Sequence, residues 1–167
     1  MEHPIEKAIA AAIAYDAGDV KRIQHFLKVH AFARLIGLEE GLDPHTQFVL
    51  ETAAVVHDIG IHKAEAVYGV NTGKYQEELG PAEAEVLLSQ LNWPREVIRR
   101  VMYLVGHHHT YTNIDGLDYQ ILIEADFLVN LYEDGEPPAA QKHVYETIFQ
   151  TETGKRLCRQ QFPAVCE

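Results

Sequence analysis

Three short stretches of the sequence carry side chains that could do chemistry, and their types point to a buried cation. In Ile121-Leu122-Ile123-Glu124-Ala125-Asp126-Phe127-Leu128-Val129-Asn130-Leu131, apolar nearly all round, Asp126 lies in line with Leu122 and Val129. A helix of that composition belongs in the middle of a core. An ionised carboxylate alone there is very costly and persists only when paired, protonated or bound to a cation. The plainer account is a buried salt bridge or a hydrogen-bonded acid. In Ala53-Ala54-Val55-Val56-His57-Asp58-Ile59-Gly60, a His-Asp pair closes an apolar helical run just before a glycine. His57 shares a face with Leu50, Ala53 and Ala54, so it points inward. Where the backbone unwinds at a helix end, adjacent His and Asp side chains can converge on one point. A capping Asp beside a satisfied core His would read the same way. His25 shares a stripe with Val29, Phe32 and Ile36, which puts an imidazole on an inward face. His30 is offset from that stripe and reads as structural or surface.

Taken together, two histidines and two aspartates on inward faces of three helices supply nitrogen and oxygen donors to one point. Such a set suits one divalent ion. The oxygen share favours six-coordinate Mn²⁺, Fe²⁺ or Mg²⁺, with Co²⁺, Ni²⁺ and Zn²⁺ also admitted. Four protein ligands leave about two positions for water and substrate. Two carboxylates neutralise the ion, which resolves the burial of Asp126.

The elements that must position these groups are helical. Val, Ile and Leu recur at spacings of three and four, with no clear alternating strand. The spacing predicts helices over 4–17, 19–40 with Asp19 as N-cap, and 43–60 with Asp43 as cap and Pro44 in the first turn. From 62 to 80 the glycines predict mostly loop, with one short helix over 64–68. Further helices are predicted over 81–91, 94–105, 117–132 and 139–149, and Gly106 to Gly116 reads as a loop. No repeat or low-complexity tract interrupts the pattern. The expected fold class is all-α, a compact helical bundle forming a single domain over 1–167.

Composition narrows the function classes. The 167 residues carry 14 Lys+Arg against 25 Asp+Glu, a formal net charge of −11. No basic excess is available to displace phosphate counterions, so no nucleic acid polymer is expected as partner. A small anionic substrate stays open, because a local cation can override the net field. No stretch reaches the ~18 continuous apolar residues of a membrane span. The N-terminus lacks a basic segment and reads as an amphipathic helix, so no membrane partner is expected and a cytoplasmic location is. Cys158 and Cys166 read as two free thiols.

The order His25, His57-Asp58, Asp126 resembles the HD domain superfamily of metal-dependent phosphohydrolases. HFLKVHAFARLIGLEEGL looks like that family's first-histidine helix, ETAAVVHDIG like its His-Asp helix, and LIEADFLVN like its closing aspartate helix. The resemblance covers roughly 20–135, leaving a C-terminal helix and tail over 136–167. It implies that His25, His57, Asp58 and Asp126 are the metal ligands. It also implies a hydrolase acting on a small phosphoester or phosphoanhydride, often a nucleotide, through a metal-activated water. Asp58 is the candidate to orient or deprotonate that water. His107, His108 and His109 offer groups that reach the phosphate or hold the water, with His108 assigned to catalysis and His107 and His109 to substrate. Lys63 at the end of the His-Asp helix is a catalytic candidate, and Arg22, one turn before His25, a phosphate-binding one. A solvated surface charge is the competing account of both. Glu65, Glu77 and Glu78 are candidate supporting acids, and Tyr68, Tyr75, Tyr103 and Tyr111 could stack a base.

The sequence departs from the family at Gln76, which stands where many two-metal members have a histidine. One metal is therefore expected. The competing readings are a nucleotide- or metal-binding sensor without turnover and, less favoured, a two-metal oxygenase. A homodimer is compatible with the sequence.

Overall fold

The computed structural model describes residues 4–167, so the part of the N-terminal reading that falls on Met1, Glu2 and His3 lies outside the described residues. The chain is all-helical over that range. Its elements are α1 (Ile5–Tyr15), α2 (Val20–Glu39), α3 (Pro44–Val56), α4 (Ile61–Tyr68), α5 (Gly73–Gln90), α6 (Arg95–Val105), α7 (Leu117–Glu133), α8 (Pro138–Thr147) and α9 (Glu152–Gln161), closed by a 3₁₀ turn (Pro163–Cys166).

The expected caps hold α2 and α3. Asp19 accepts from the Arg22 N–H at 3.1 Å, and Asp43 accepts from the Thr46 N–H at 2.7 Å. Each satisfies an amide that the first turn leaves without a helical partner. α7 is the central helix, buried along most of its length, and it packs against α2 and α3. Leu122, Ile121, Ile123, Leu128, Val29, Ile36, Leu50 and Ala53 form the middle of the core with almost no exposure.

Two predicted boundaries are corrected. The stretch over 62–80 is not mostly loop: α4 occupies Ile61–Tyr68, and α5 begins at Gly73 rather than at Pro81. Gly80-Pro81 reads as a break, yet it lies inside α5. Proline there removes one helical N–H, while Gly80 allows a close helix crossing. A Cβ on Gly60 would stand 2.8 Å from the Gly80 Cα, and one on Gly80 would stand 2.7 Å from a Val105 methyl.

The second correction is at the C-terminus, where the tail past residue 149 forms α9. Its sequence is largely polar and carries little periodic signal. It is held instead by anchors. Thr151 caps it, accepting from the Gly154 N–H at 2.9 Å, and Glu40 accepts from the Thr153 hydroxyl at 2.7 Å. Glu124, fully buried on α7, accepts from Gln120, from the amides of Gln150 and Thr151, and from the Thr151 hydroxyl, at 2.6–3.0 Å.

Candidate metal centre

Between α3 and α4 the chain makes a tight turn. The Ile59 N–H reaches back to the Val56 carbonyl at 3.0 Å and the Ile61 N–H to the Asp58 carbonyl at 3.1 Å, a three-residue spacing in place of the helical four. The tighter winding brings Asp58 round to the side that His57 occupies. Gly60 is glycine because α5 crosses there; its backbone φ of −78° is ordinary, but a Cβ would meet the backbone of Gly80 and Gln76.

Four donor atoms converge at this turn. His25 Nε2 lies 3.2 Å from His57 Nε2, 3.1 Å from Asp58 Oδ2 and 3.1 Å from Asp126 Oδ1. His57 Nε2 lies 3.4 Å from each of the same two carboxylate oxygens. Neighbouring ligands on an ion at about 2.1 Å are separated by about 3.0 Å at octahedral angles and about 3.4 Å at tetrahedral ones. The spacing of His25, His57 and Asp58 suits a divalent ion, and Asp126 Oδ1 lies within reach of the two imidazole donors.

The protons point the other way. His57 Nδ1 donates to the Ala54 carbonyl at 2.7 Å, and His108 Nδ1 donates to the Val105 carbonyl at 2.7 Å. A carbonyl only accepts, so the proton sits on Nδ1 and, in the neutral ring, Nε2 keeps its lone pair. His25 Nδ1 meets Glu133 Oε1 at 2.6 Å, whose other oxygen pairs with Lys28 at 2.6 Å. A carboxylate behind a ligating histidine fixes its tautomer and raises its basicity.

Two buried atoms in the centre have no hydrogen-bond partner: Asp126 Oδ1 and His108 Nε2. The 3.1 Å approach of His25 to Asp126 is therefore a close contact off the hydrogen-bond line. Without a cation the imidazoles supply the balancing charge. Burial opposes protonation of His25, but the Asp126 and Asp58 carboxylates, each 3.1 Å from its Nε2, carry its pKa up to about 9. His57 is raised well above its ordinary value despite burial, by the charges of Asp58 and Asp126. Both carboxyls are lowered by the imidazoles against the effect of burial. The donor chemistry, the spacing and the orphaned oxygen all fit a divalent ion.

The other candidates divide. Asp58 turns its second oxygen, Oδ1, toward His108 Nε2 at 3.3 Å, and Asp58, His108 and His109 form a second donor group. His109 Nε2 donates to Gln76 Oε1 at 3.0 Å, and burial together with neighbouring His108 pushes its pKa down to about 4. His107 faces away from the donors, stacked on Tyr103 at 4.0 Å, with Nδ1 donating to the Tyr103 carbonyl. The first residue of the turn points out because Tyr119 ties its backbone, donating to the carbonyls of His107 and Thr110. Lys63 is exposed on α4 and does not line the cleft over the donors, because the turn carries it to the outer face.

That cleft has a volume of about 210 Å³, and Arg22, His109, Asp58 and Asp126 line it. Larger hollows of about 400 and 500 Å³ lie elsewhere and hold none of the donors. Lys21, Asn71, Gln76, Asn130, Glu133 and Asp134 also line the cleft. Of these only Gln76 stands out in the sequence as a candidate. Asn130 and Asp134 follow Asp126 at four-residue steps and so share its face of α7. Glu133 follows it by seven. That periodicity was the available signal. Of the supporting acids, Glu77 holds the histidine turn, accepting from the His109 amide at 3.1 Å and the Thr110 hydroxyl at 2.8 Å. Glu65 and Glu78 bond Asn71 and Tyr68 on the surface.

No family model matches the chain, and no curated protein does. It is similar to the crystal structure of a predicted HD superfamily hydrolase from an uncultured Thermotogales bacterium, with a TM-score of 0.67 and 25% identity over 96% of this chain and 86% of that one. The fold is that of the HD superfamily. Among the described residues no helix is long and apolar enough to cross a membrane.

Proposed function

We propose that this protein is a metal-dependent phosphohydrolase of one domain that cleaves a small phosphoester or phosphoanhydride, with His25, His57, Asp58 and Asp126 holding one divalent ion. The observation that carries the reading is the orphaned Asp126 Oδ1, buried 3.1–3.4 Å from two imidazole nitrogens whose rings donate their protons outward. A divalent ion held there would lower the pKa of a bound water and polarise a phosphoryl oxygen.

The remaining roles fall to side chains of the cleft. One oxygen of Asp58 stands among the donors that would hold the ion and the other faces His108, so Asp58 can orient an attacking water and accept its proton. Arg22 has no ion-pair partner among the described residues and feels Asp16 and Asp19 only at longer range. Its guanidinium is free to bind two phosphate oxygens and to stabilise the charge that grows on them. His109 stands at the mouth as a neutral donor or acceptor.

The second donor group of Asp58, His108 and His109 favours one further reading, in which these residues would hold a second ion. Metal analysis decides between them. Protein loaded with Mn²⁺, Co²⁺, Fe²⁺, Ni²⁺ or Mg²⁺ is expected to hold near one ion per chain and to hydrolyse a generic phosphoester. Near two ions with oxygen uptake supports the oxygenase, and tight nucleotide binding without turnover supports a sensor. Asp126→Ala is expected to lose the ion and the activity. Full metal occupancy in that variant removes Asp126 from the site.

A further inference from the structure

The walls of the cleft say what kind of alcohol the phosphate is attached to. Ligand sites for drug-sized molecules run to roughly 300–1,000 Å³ and are mostly apolar. This one holds about 210 Å³, and among the described residues Ile61 is its sole apolar side chain. No tyrosine, phenylalanine or tryptophan lines it. The four tyrosines that could stack a base are engaged elsewhere. Tyr68 and Tyr75 stack on each other at 4.0 Å, Tyr103 lies under His107 at 4.0 Å and Arg100 at 5.0 Å, and Tyr111 packs on Phe127 at 5.2 Å. A nucleobase gains about 1–3 kcal/mol from each aromatic surface it stacks on, and among the described residues the cleft offers only the small His109 ring, itself 4.1 Å from the His108 ring.

What the cleft offers instead is hydrogen bonding. Arg22 and Lys21 stand on the wall from α2, and Asn130 and Asp134 on the wall from α7. Among the described residues the side chains of Asn130 and Asp134 have no hydrogen-bond partner. An amide and a carboxylate one helical turn apart, leading outward from Asp126, match adjacent hydroxyl groups. The same carboxylates, Asp134 and Glu133, oppose a second or third phosphate, as does the net charge of −11.

We propose that the substrate is the monophosphate of a small polyhydroxylated alcohol, a sugar or polyol phosphate, bound with its phosphate toward Arg22 and its hydroxyls on Asn130 and Asp134. This rests on the phosphohydrolase reading. In the reaction, water adds to phosphorus, the P–O bond to the alcohol breaks, and the products are inorganic phosphate and the free polyol.

The test uses metal-loaded full-length protein with p-nitrophenyl phosphate as the generic probe. Against it are set glycerol, pentose, hexose and inositol monophosphates, and nucleoside mono- and diphosphates. The best sugar or polyol phosphate is expected to exceed the best nucleotide at least about tenfold in kcat/KM, the size of one or two hydrogen bonds set against an unstacked base. Asn130→Ala is expected to raise KM for that substrate about tenfold and to change KM for p-nitrophenyl phosphate far less. A nucleotide preferred over every sugar phosphate overturns the inference and leaves the hydrolase standing. So does an equal KM change on both substrates in Asn130→Ala. Turnover of nothing in the panel, with the ion bound, overturns both.

Discussion

Glu133 was not among the candidates drawn from the sequence, yet its geometry makes it the residue that would set how tightly an ion among the four donors is held. One oxygen takes the His25 Nδ1 proton at 2.6 Å and the other meets Lys28 at 2.6 Å. Glu133→Ala removes the acceptor. His25 can then rotate or swap tautomers, and in the wrong tautomer Nε2 carries a proton and cannot bind metal. Loss of such an outer partner costs about 10–100-fold in metal affinity, which is about 1.4–2.8 kcal/mol at 1.4 kcal/mol per decade. Glu133→Gln keeps an acceptor oxygen but loses the charge that strengthens the imidazole as a donor, so it should fall between wild type and alanine. The assay is competition for Mn²⁺ or Co²⁺ against a chromophoric chelator, with urea unfolding of the metal-free proteins in parallel. The metal-free stabilities should differ little, because Lys28 is 40% exposed and a pair at the surface contributes at most about 1 kcal/mol. Wild-type metal affinity in Glu133→Ala would refute the argument. Equal losses of affinity and of metal-free stability would show that the residue acts through folding alone.

Two further outcomes follow from the packing and the buried charges. Gly60→Ala puts a methyl 2.8 Å from the Gly80 backbone, which has no flexible end to yield, so urea unfolding should show a loss of about 1–3 kcal/mol together with weaker metal binding. An unchanged midpoint would mean that the crossing is looser than drawn. Glu51 is buried between His30 at 3.0 Å and Gln47 at 2.9 Å; burial alone would raise its carboxyl, but the bonds from those two hold it below its ordinary 4.5. A depressed carboxyl gives stability that is present above the unfolded pKa and lost as pH falls through the folded one. Glu51→Gln should therefore flatten part of the fall in unfolding free energy below about pH 4.5, and an unchanged acid limb would count against it.

The helical architecture and the four converging donors were legible because they rest on local rules. Inward stripes, Asp caps and a glycine after His57-Asp58 can each be read within a few residues. The features that were misread depend on distant partners. Gly80-Pro81 has the chemistry of a helix stop, and only the crossing with Gly60 shows why the pair sits inside α5. α9 is polar in sequence and owes its place to Glu40 and Glu124, far away along the chain. His107, His108 and His109 are identical letters in sequence. Tyr103, Val105 and Gln76 give each ring a different direction.

α7 also carries its own control for the metal argument. Glu124 and Asp126 are both buried, two residues apart on one apolar helix. Either could have been a structural acid, since both accounts predict a carboxylate in a core. Glu124 is one: each of its oxygens is occupied by amide or hydroxyl donors at 2.6–3.0 Å, and the segment before α9 is built around it. The same helix therefore had the means to satisfy a buried carboxylate with the chain's own donors. At Asp126 it did not. Among the described residues Oδ1 has no hydrogen-bond partner, although His25 Nε2 and His57 Nε2 stand 3.1 and 3.4 Å away. A buried oxygen left without a hydrogen bond is costly in a structural site, and it suits an atom that could hold a cation.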